Sequence, residues 1–377
     1  MREARFSHTK YARAASKPIR AFAGRRRWPH AALGTAAALL ATAFSVSSAS
    51  ALPIGCAKVN GKVLCPQVSY EFQTLNNTMD LTFNQLLGIN QSGVIAGYFG
   101  SGAQGHPNQG YLLFPPYVQN YYASNNFPNN GAVQTQVTGI NNGGVLVGFY
   151  STMNNASING AAPIDDNHGW YKLHGQFYLA DFPTTSPASP PVDQLLGVNG
   201  KNVAVGFFTD ATGNNHGYTY GINNHRFQPV NVPNFTNVTA AAINDKGDIA
   251  GFGTTNSNSE GFLLVNGKTT PIKYPGSSQT QALGVNNNDE VVGDYTVGSG
   301  SSAAMHGFTW YPGYGFHKVD APQGADTTTI NGVNDCGDIV GFYVDSKSNT
   351  DGLLGNTRYS GFVSKAKRIR TKLPRGC

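Results

Sequence analysis

The stretch Gln136–Tyr150, QVTGINNGGVLVGFY, carries a pattern that returns five more times in the 377 residues, and the fold follows from it. Aligned on the asparagine, the copies fall at Asn90, Asn141, Asn199, Asn244, Asn286 and Asn334, at intervals of 51, 58, 45, 42 and 48 residues. Periods of this size mark stacked or circular repeat architectures. Three residues beyond each asparagine stand Gly93, Gly144, Asn202, Gly247, Asp289 and Gly337, residue types that adopt positive φ with least strain. An asparagine that bonds the backbone two residues on, followed by such a position, describes a type I turn closing a hairpin. The repeated asparagine is therefore read as a turn former, not a ligand.

The strand entering each turn reads QLLGIN, QVTGIN, QLLGVN, AAAIN, QALGVN and INGVN. It is apolar on both alternating faces, as expected of a strand covered above and below. Two residues before the asparagine sit Gly88, Gly139, Gly197, Ala242, Gly284 and Gly332, a nearly empty slot suited to strands converging on a crowded centre. The strand leaving the turn carries Gly97, Gly148, Gly206, Gly251, Gly293 and Gly341, usually followed by Phe or Tyr, which implies close backbone approach beneath an aromatic ring. A third strand opens at Gly110-Tyr111, His168-Gly169-Trp170, His216-Gly217-Tyr218, Gly261-Phe262, His306-Gly307-Phe308 and Gly361-Phe362. A fourth ends before proline, as in FYLADFP, FQPVNVP, PIKYP and FHKVDAP, which close at Pro183, Pro233, Pro275 and Pro322. Four short strands in each of six repeats of about 42–58 residues predict an all-β, six-bladed β-propeller.

At these residues the chain resembles the bacterial extracellular HAF-repeat family, named for a His-Ala-Phe-like tripeptide that follows an Ile-Asn-x-x-Gly segment. The resemblance spans roughly residues 70 to 365. Here the tripeptide is His-Gly-aromatic in three copies, with Gln109, Glu260 and Ser360 in place of the histidine in the others. The resemblance implies a secreted repeat protein and no particular activity.

Residues 1–51 read as a signal peptide: a basic region ending at Arg25-Arg26-Arg27, the small-apolar run Ala31–Val46, and Ala49-Ser50-Ala51 as the cleavage signal. The run is too short and alanine-rich for a membrane span. Trp28-Pro29-His30 continues a twin-arginine motif poorly and favours general secretion, to the periplasm or beyond. Pro53 stands where lipid attachment at Cys56 would want a leucine-like residue. The segment holds nine of the 26 Lys+Arg and one of the 20 acidic residues. The remainder, 17 basic against 19 acidic, carries about −2, so the overall pI of about 9.0 belongs to the leader. Six of those 17 lie in Lys365–Arg375, which leaves 11 basic against 19 acidic groups in 52–364 and excludes a nucleic-acid-binding face.

Four cysteines in an exported chain favour disulfides. Asn60-Gly61 in CAKVNGKVLC is a two-residue hairpin signal. Pairing outward sets Val59 against Lys62, Lys58 against Val63, Ala57 against Leu64 and Cys56 against Cys65. That last pair is within disulfide range at a non-hydrogen-bonded site, where Cα atoms lie about 4.5 Å apart. By elimination Cys336 pairs with Cys377. The chain thus divides into the leader, a disulfide hairpin at 52–66, the propeller at 67–365 and a basic tail at 366–377. Residues 66–78 read as a fourth strand arriving before the first turn. Either this segment or the basic AKRIRTKLP could finish the last blade. Connections at 151–167, 184–192, 253–259 and 296–305 read as exposed loops, where a repetitive scaffold carries its binding function.

The sequence holds no phosphate loop, no HExxH and no Gly-x-Ser-x-Gly. His168, His216 and His306 share one repeat position; gathered on one face they could ligate a transition metal such as Zn²⁺, and the alternative is that each bonds a local turn. Asp210–Asn214 and Asp165-Asp166 resemble short oxygen-rich Ca²⁺ loops or exposed polar turns. No cofactor is required by any of these patterns. Tyr117, Tyr121, Tyr122, Trp170, Tyr171, Trp310, Tyr311 and Tyr314 could stack on sugar faces or fill the space between blades, with Trp170, Tyr171, Trp310 and Tyr311 the foremost binding candidates. The preferred function is a monomeric, non-catalytic extracellular propeller that binds a glycan or a protein surface. The alternative is a propeller enzyme, a metal-dependent hydrolase or lactonase or a polysaccharide lyase, with its site at the central mouth. Beyond the leader the only glutamates are Glu71, Glu260 and Glu290, which argues against a Glu-based glycosidase pair. Carboxylates converging on the axis would favour the enzyme; an axis of Gly, Asn and Val would favour the binder.

Overall fold

A computed structural model describes residues 57–59, 62–64, 68–103, 105–118, 122–128, 131–152, 166–256, 258–324, 326–359, 363–364 and 367–368. Among them, six four-stranded antiparallel sheets follow one another in chain order. Each innermost strand packs against the innermost strand of the next blade, and the sixth against the first, so the sheets close a six-bladed β-propeller. The innermost strands are Asn84–Ile89, Gln134–Ile140, Asp193–Val198, Thr236–Ile243, Gln279–Val285 and Thr328–Val333.

The sixth blade is completed by the N-terminal segment: Val68–Thr74 pairs with Thr350–Tyr359, from Leu353 opposite Thr74 to Tyr359 opposite Val68. The basic C-terminal segment is not the closing strand; its Lys367–Arg368 pairs with Val363–Ser364 in a sheet of their own. The third strand of this blade opens earlier than expected. Gly352, not Gly361, lies opposite Phe342 on the second strand, so Asp351-Gly352-Leu353 is the sixth tripeptide. The 253–259 loop is also mostly ladder: Gly253, Thr254 and Thr255 pair with Glu260, Ser259 and Asn258, with Asn256 at φ 46° near the tip. The N-terminal hairpin has the expected register, Ala57 opposite Leu64, Lys58 opposite Val63 and Val59 opposite Lys62. Cys56, Cys65 and Cys377 lie outside the described residues.

Every inner strand carries a β-bulge just before its turn, as between Leu86 and Gly88 or Leu195 and Gly197, which bends it toward the axis. There the strands crowd. A Cβ on Gly88 would lie 3.2 Å from Gly139 Cα, one on Gly139 3.2 Å from Gly197 Cα, and one on Gly332 3.2 Å from Gly88 Cα. On the second strand a Cβ at Gly148 would meet Gln136 O at 2.0 Å and the Trp170 ring at 2.6 Å. The ring over this glycine comes from the third strand's tripeptide, not from the residue after the glycine. The buried apolar side chains form six clusters, one at each blade interface. A circular core of this kind needs all six blades, because each cluster draws its residues from two of them.

Candidate functional site

Hairpin connections alternate between the two ends of a blade, which gives the ring two unlike faces. One face carries the asparagine turns. Each turn closes by its fourth residue's N–H, as in Gly144 N to Asn141 O at 3.2 Å, and that residue is left-handed in all six copies, from φ 59° at Asn202 to 94° at Gly247. The asparagine Oδ1 accepts two backbone N–H groups, from Gly143 and Val145 at 2.9 Å in the second blade.

The other end of the same side chain has a role the repeat pattern did not reveal. Asn90 Nδ2 donates to Asn141 O (3.3 Å), Asn141 to Asn199 O (2.8 Å), Asn199 to Asn244 O (2.9 Å), Asn244 to Asn286 O (3.1 Å) and Asn286 to Asn334 O (2.9 Å). Each asparagine thus closes its own turn, and five of the six fasten their blade to the next; Asn334 Nδ2 donates instead to Asp338 within its own turn, at 3.2 Å. The residue after it adds a second circle: the N–H groups of Gln91, Gly200, Asp245, Asn287 and Asp335 donate to the side chains of Asn142, Asp245, Asn287, Asp335 and Gln91 at 2.6–3.0 Å. The one gap in that circle faces Gly200, which has no side chain to accept.

The mouth enclosed by these circles is a cavity of about 80 Å³. It is lined by the asparagines, the Ile or Val before each, and the residue after each, so it answers mainly to the Gly-Asn-Val description. Two carboxylates do reach it, Asp245 and Asp335. Each accepts a backbone N–H through Oδ1, and Asn287 Nδ2 bridges their Oδ2 atoms at 3.3 and 3.0 Å. Among the described residues no histidine lines it.

The opposite face carries the tripeptides and the connections between blades. The structure does not bring His168, His216 and His306 together. His168 Nδ1 bonds Asp181 at 2.8 Å, His216 Nε2 bonds Asp210 at 2.7 Å, and His306 Nδ1 bonds Asp320 at 3.1 Å. The Asp181 hydrogen bond raises the His168 pKa. Asp181 also accepts the Gly169 N–H at 2.8 Å. The same clasp recurs with other chemistry: Asn126 joins Gln109 and the Gly110 N–H, and Asn76 joins Asp351 and the Gly352 N–H. Histidine is thus one of several residues able to hold the third strand to the outgoing connection, which explains why the tripeptide does not conserve it within this chain. The partner was visible in FYLADFP and FHKVDAP, whose aspartates accompany the His-Gly-aromatic copies.

Among the described residues no group of three or more His, Cys, Asp or Glu is placed to hold a metal ion. In the Asp210–Asn214 loop the carboxylate is fully engaged, by the N–H groups of Thr212 and Asn214, the Thr212 hydroxyl and His216; these contacts, His216 first, hold its pKa well below the usual carboxylate range. Asp166 accepts from Ser151 and Thr152, and Asp165 lies outside the described residues. The foremost aromatic candidates are mostly core. Trp170 is 0% exposed, Tyr171 2% and Trp310 8%, so they pack between blades and present no face to a ligand. Tyr311 is partly buried and hydrogen-bonded to Glu290.

A larger cavity, about 510 Å³, opens on this face between the third and fourth blades. It is bounded by Asn214–Gly217, the connection Pro229–Phe235 and the start of the fourth inner strand, Thr236–Val238. Its origin lies in a position that sequence reasoning missed, six residues before the repeat asparagine. Elsewhere that residue accepts an N–H from the incoming connection: Asn77 N to Asn84 (2.8 Å), Phe127 N to Thr135 (3.1 Å), Phe182 N to Asp193 (2.7 Å), Tyr274 N to Thr280 (3.0 Å) and Ala321 N to Thr328 (3.1 Å). The fourth blade has Val238 there. The corresponding N–H, on Val232, has no acceptor among the described residues. The clasp is absent too, since His216 turns to Asp210 and Asn231 makes no hydrogen bond with the described residues.

Fold and site together define a six-bladed β-propeller with one interlocked face and one open, variable face. No protein-family model matches the sequence, and no curated protein matches it. Solved structures similar to it include a mutant of AofleA from Arthrobotrys oligospora, at 11% identity and a TM-score of 0.43 over 80% of this chain and 90% of that one. A second is the six-bladed Aleuria aurantia lectin, described with a fucose recognition mode, at 11% identity and a TM-score of 0.39 over 65% and 79%. A third is a polysaccharide lyase of family PL25, an ulvan lyase, at 11% identity and a TM-score of 0.40 over 76% and 83%. These likenesses carry no argument about ligand or activity.

Proposed function

We propose that the chain is an exported, non-catalytic binding propeller of the HAF-repeat kind, which engages an extracellular glycan or protein surface through its open face. The observation that supports it is the contrast between the two ends of the ring. At the asparagine end, backbone and side-chain groups are tied to one another from blade to blade, and both carboxylates that reach the mouth already hold N–H groups. At the other end the connections differ from blade to blade, and one leaves a cavity within the range of about 300–1,000 Å³ usual for small-molecule sites. Export rests on the basic, then apolar, then Ala-Ser-Ala order of residues 1–51. The test is to present the folded chain to immobilised glycans and to cell-surface protein extracts, and in parallel to polysaccharide and lactone substrates with and without EDTA. Saturable binding without turnover is expected. Product formation that is lost in Asp245→Asn or Asp335→Asn would replace the binder with the mouth-centred enzyme.

A further inference from the structure

We infer that the cleft between the third and fourth blades is a site for a neutral saccharide, a reading that rests on the open face being the binding face. Five of the six connections between blades are hydrogen-bonded shut by the residue six before the repeat asparagine. The connection Val230–Phe235 is held open instead, because Val238 offers methyl groups where the others offer oxygen. The cleft therefore contains a backbone donor, Val232 N–H, with no acceptor among the described residues, which a bound oxygen would satisfy.

The rest of the lining selects the kind of oxygen. Asn231 has both ends of its amide uncommitted to the described residues, and Asn237 uses only its Oδ1, for the Asn215 N–H at 3.1 Å. These short carboxamides pair a donor with an acceptor, as vicinal hydroxyls require. The one acid at the edge, Asp210, is matched by His216 at 2.7 Å, so no unbalanced charge calls for an ionic ligand. Pro229, Pro233 and the partly buried Phe235 give the cleft an apolar side, onto which the C–H face of a sugar ring can pack. A ligand with hydroxyls on its rim, an apolar face and no charge fits all three features.

The experiment is calorimetric titration of the folded chain with methyl glycosides of neutral hexoses, 6-deoxyhexoses and N-acetylhexosamines, alongside a proline-rich peptide. Three variants follow: Asn231→Ala, Phe235→Ala and Val238→Thr. Val238→Thr supplies the hydroxyl found at Thr280 and Thr328, so it should raise the melting temperature while weakening the sugar about tenfold or more, a combination that misfolding cannot produce. The other two should weaken binding to a similar extent. If a glycoside binds the wild-type chain and all three variants equally, the site is wrong and glycan binding by the open face stands. If no glycoside binds, or only the peptide does, the saccharide assignment is overturned.

Discussion

Replacing Asn199 by aspartate separates the two roles of the repeat asparagine. Its Oδ1 accepts the Lys201 and Val203 N–H groups at 3.0 Å, and its Nδ2 donates to Asn244 O at 2.9 Å; the side chain is 4% exposed. Aspartate keeps the acceptor that closes the turn and puts an oxygen against the Asn244 carbonyl. The lost bond and the stranded carbonyl, with partial burial of charge added, amount to about 3–5 kcal/mol near neutral pH. The protonated acid can still donate to Asn244 O, so the folded-state pKa lies above the unfolded value of about 4 and the variant loses stability as pH rises through that window. Asn199→Ala, which removes both roles, should be destabilised at every pH. Urea unfolding at acid and neutral pH, followed by the fluorescence of buried Trp170 and Trp310, reads both effects from the midpoint. An aspartate variant as stable as the wild type at neutral pH would show that the link from blade to blade contributes nothing.

Gly144→Val tests the turn alone, because a Cβ there meets nothing within 4 Å and φ is +78°; thermal melting should show a loss of about 1–3 kcal/mol, and a change under about 0.3 kcal/mol would remove the strain argument. Burial lifts the Asp294 pKa to about 7, above its unfolded value, so this group erodes stability as pH rises from about 4 to 7. Asp294→Asn should flatten that slope and gain about 1–3 kcal/mol at pH 8 in urea titrations, whereas an unchanged pH profile would place the charge in solvent. Peptide mapping without reduction should recover Cys56 linked to Cys65 and Cys336 linked to Cys377; a Cys336–Cys56 or Cys336–Cys65 peptide would defeat both assignments.

The blade count, the turn and the crowded centre were legible because each leaves one residue type at one interval. Glycine and asparagine have few substitutes where φ is positive or backbones nearly touch. The linking role of Asn199 was not legible, since the Asn244 carbonyl comes into reach only when the ring has assembled. The residue six before the asparagine was hidden for another reason: Asn84, Thr135, Asp193, Thr280 and Thr328 share an acceptor oxygen and little else, so no motif stands out and Val238 looks unexceptional. Trp170 misled because a large aromatic beside a loop suits either a binding platform or an interface between blades. Gly148, whose missing side chain makes room for that ring, was the clue in favour of the interface.

The closing strand sets a condition on how the molecule is made. Ser69 and Arg358, neighbours in the completed sixth blade, are 289 positions apart in the chain. At about 5–20 residues per second, synthesis separates their appearance by about 15–60 s. Through that interval the first strand has no mate and the growing stack of blades ends in a bare ladder edge, the kind that recruits strands from other chains. A chain cut short before Thr350 would leave Val68–Thr74 without its mate.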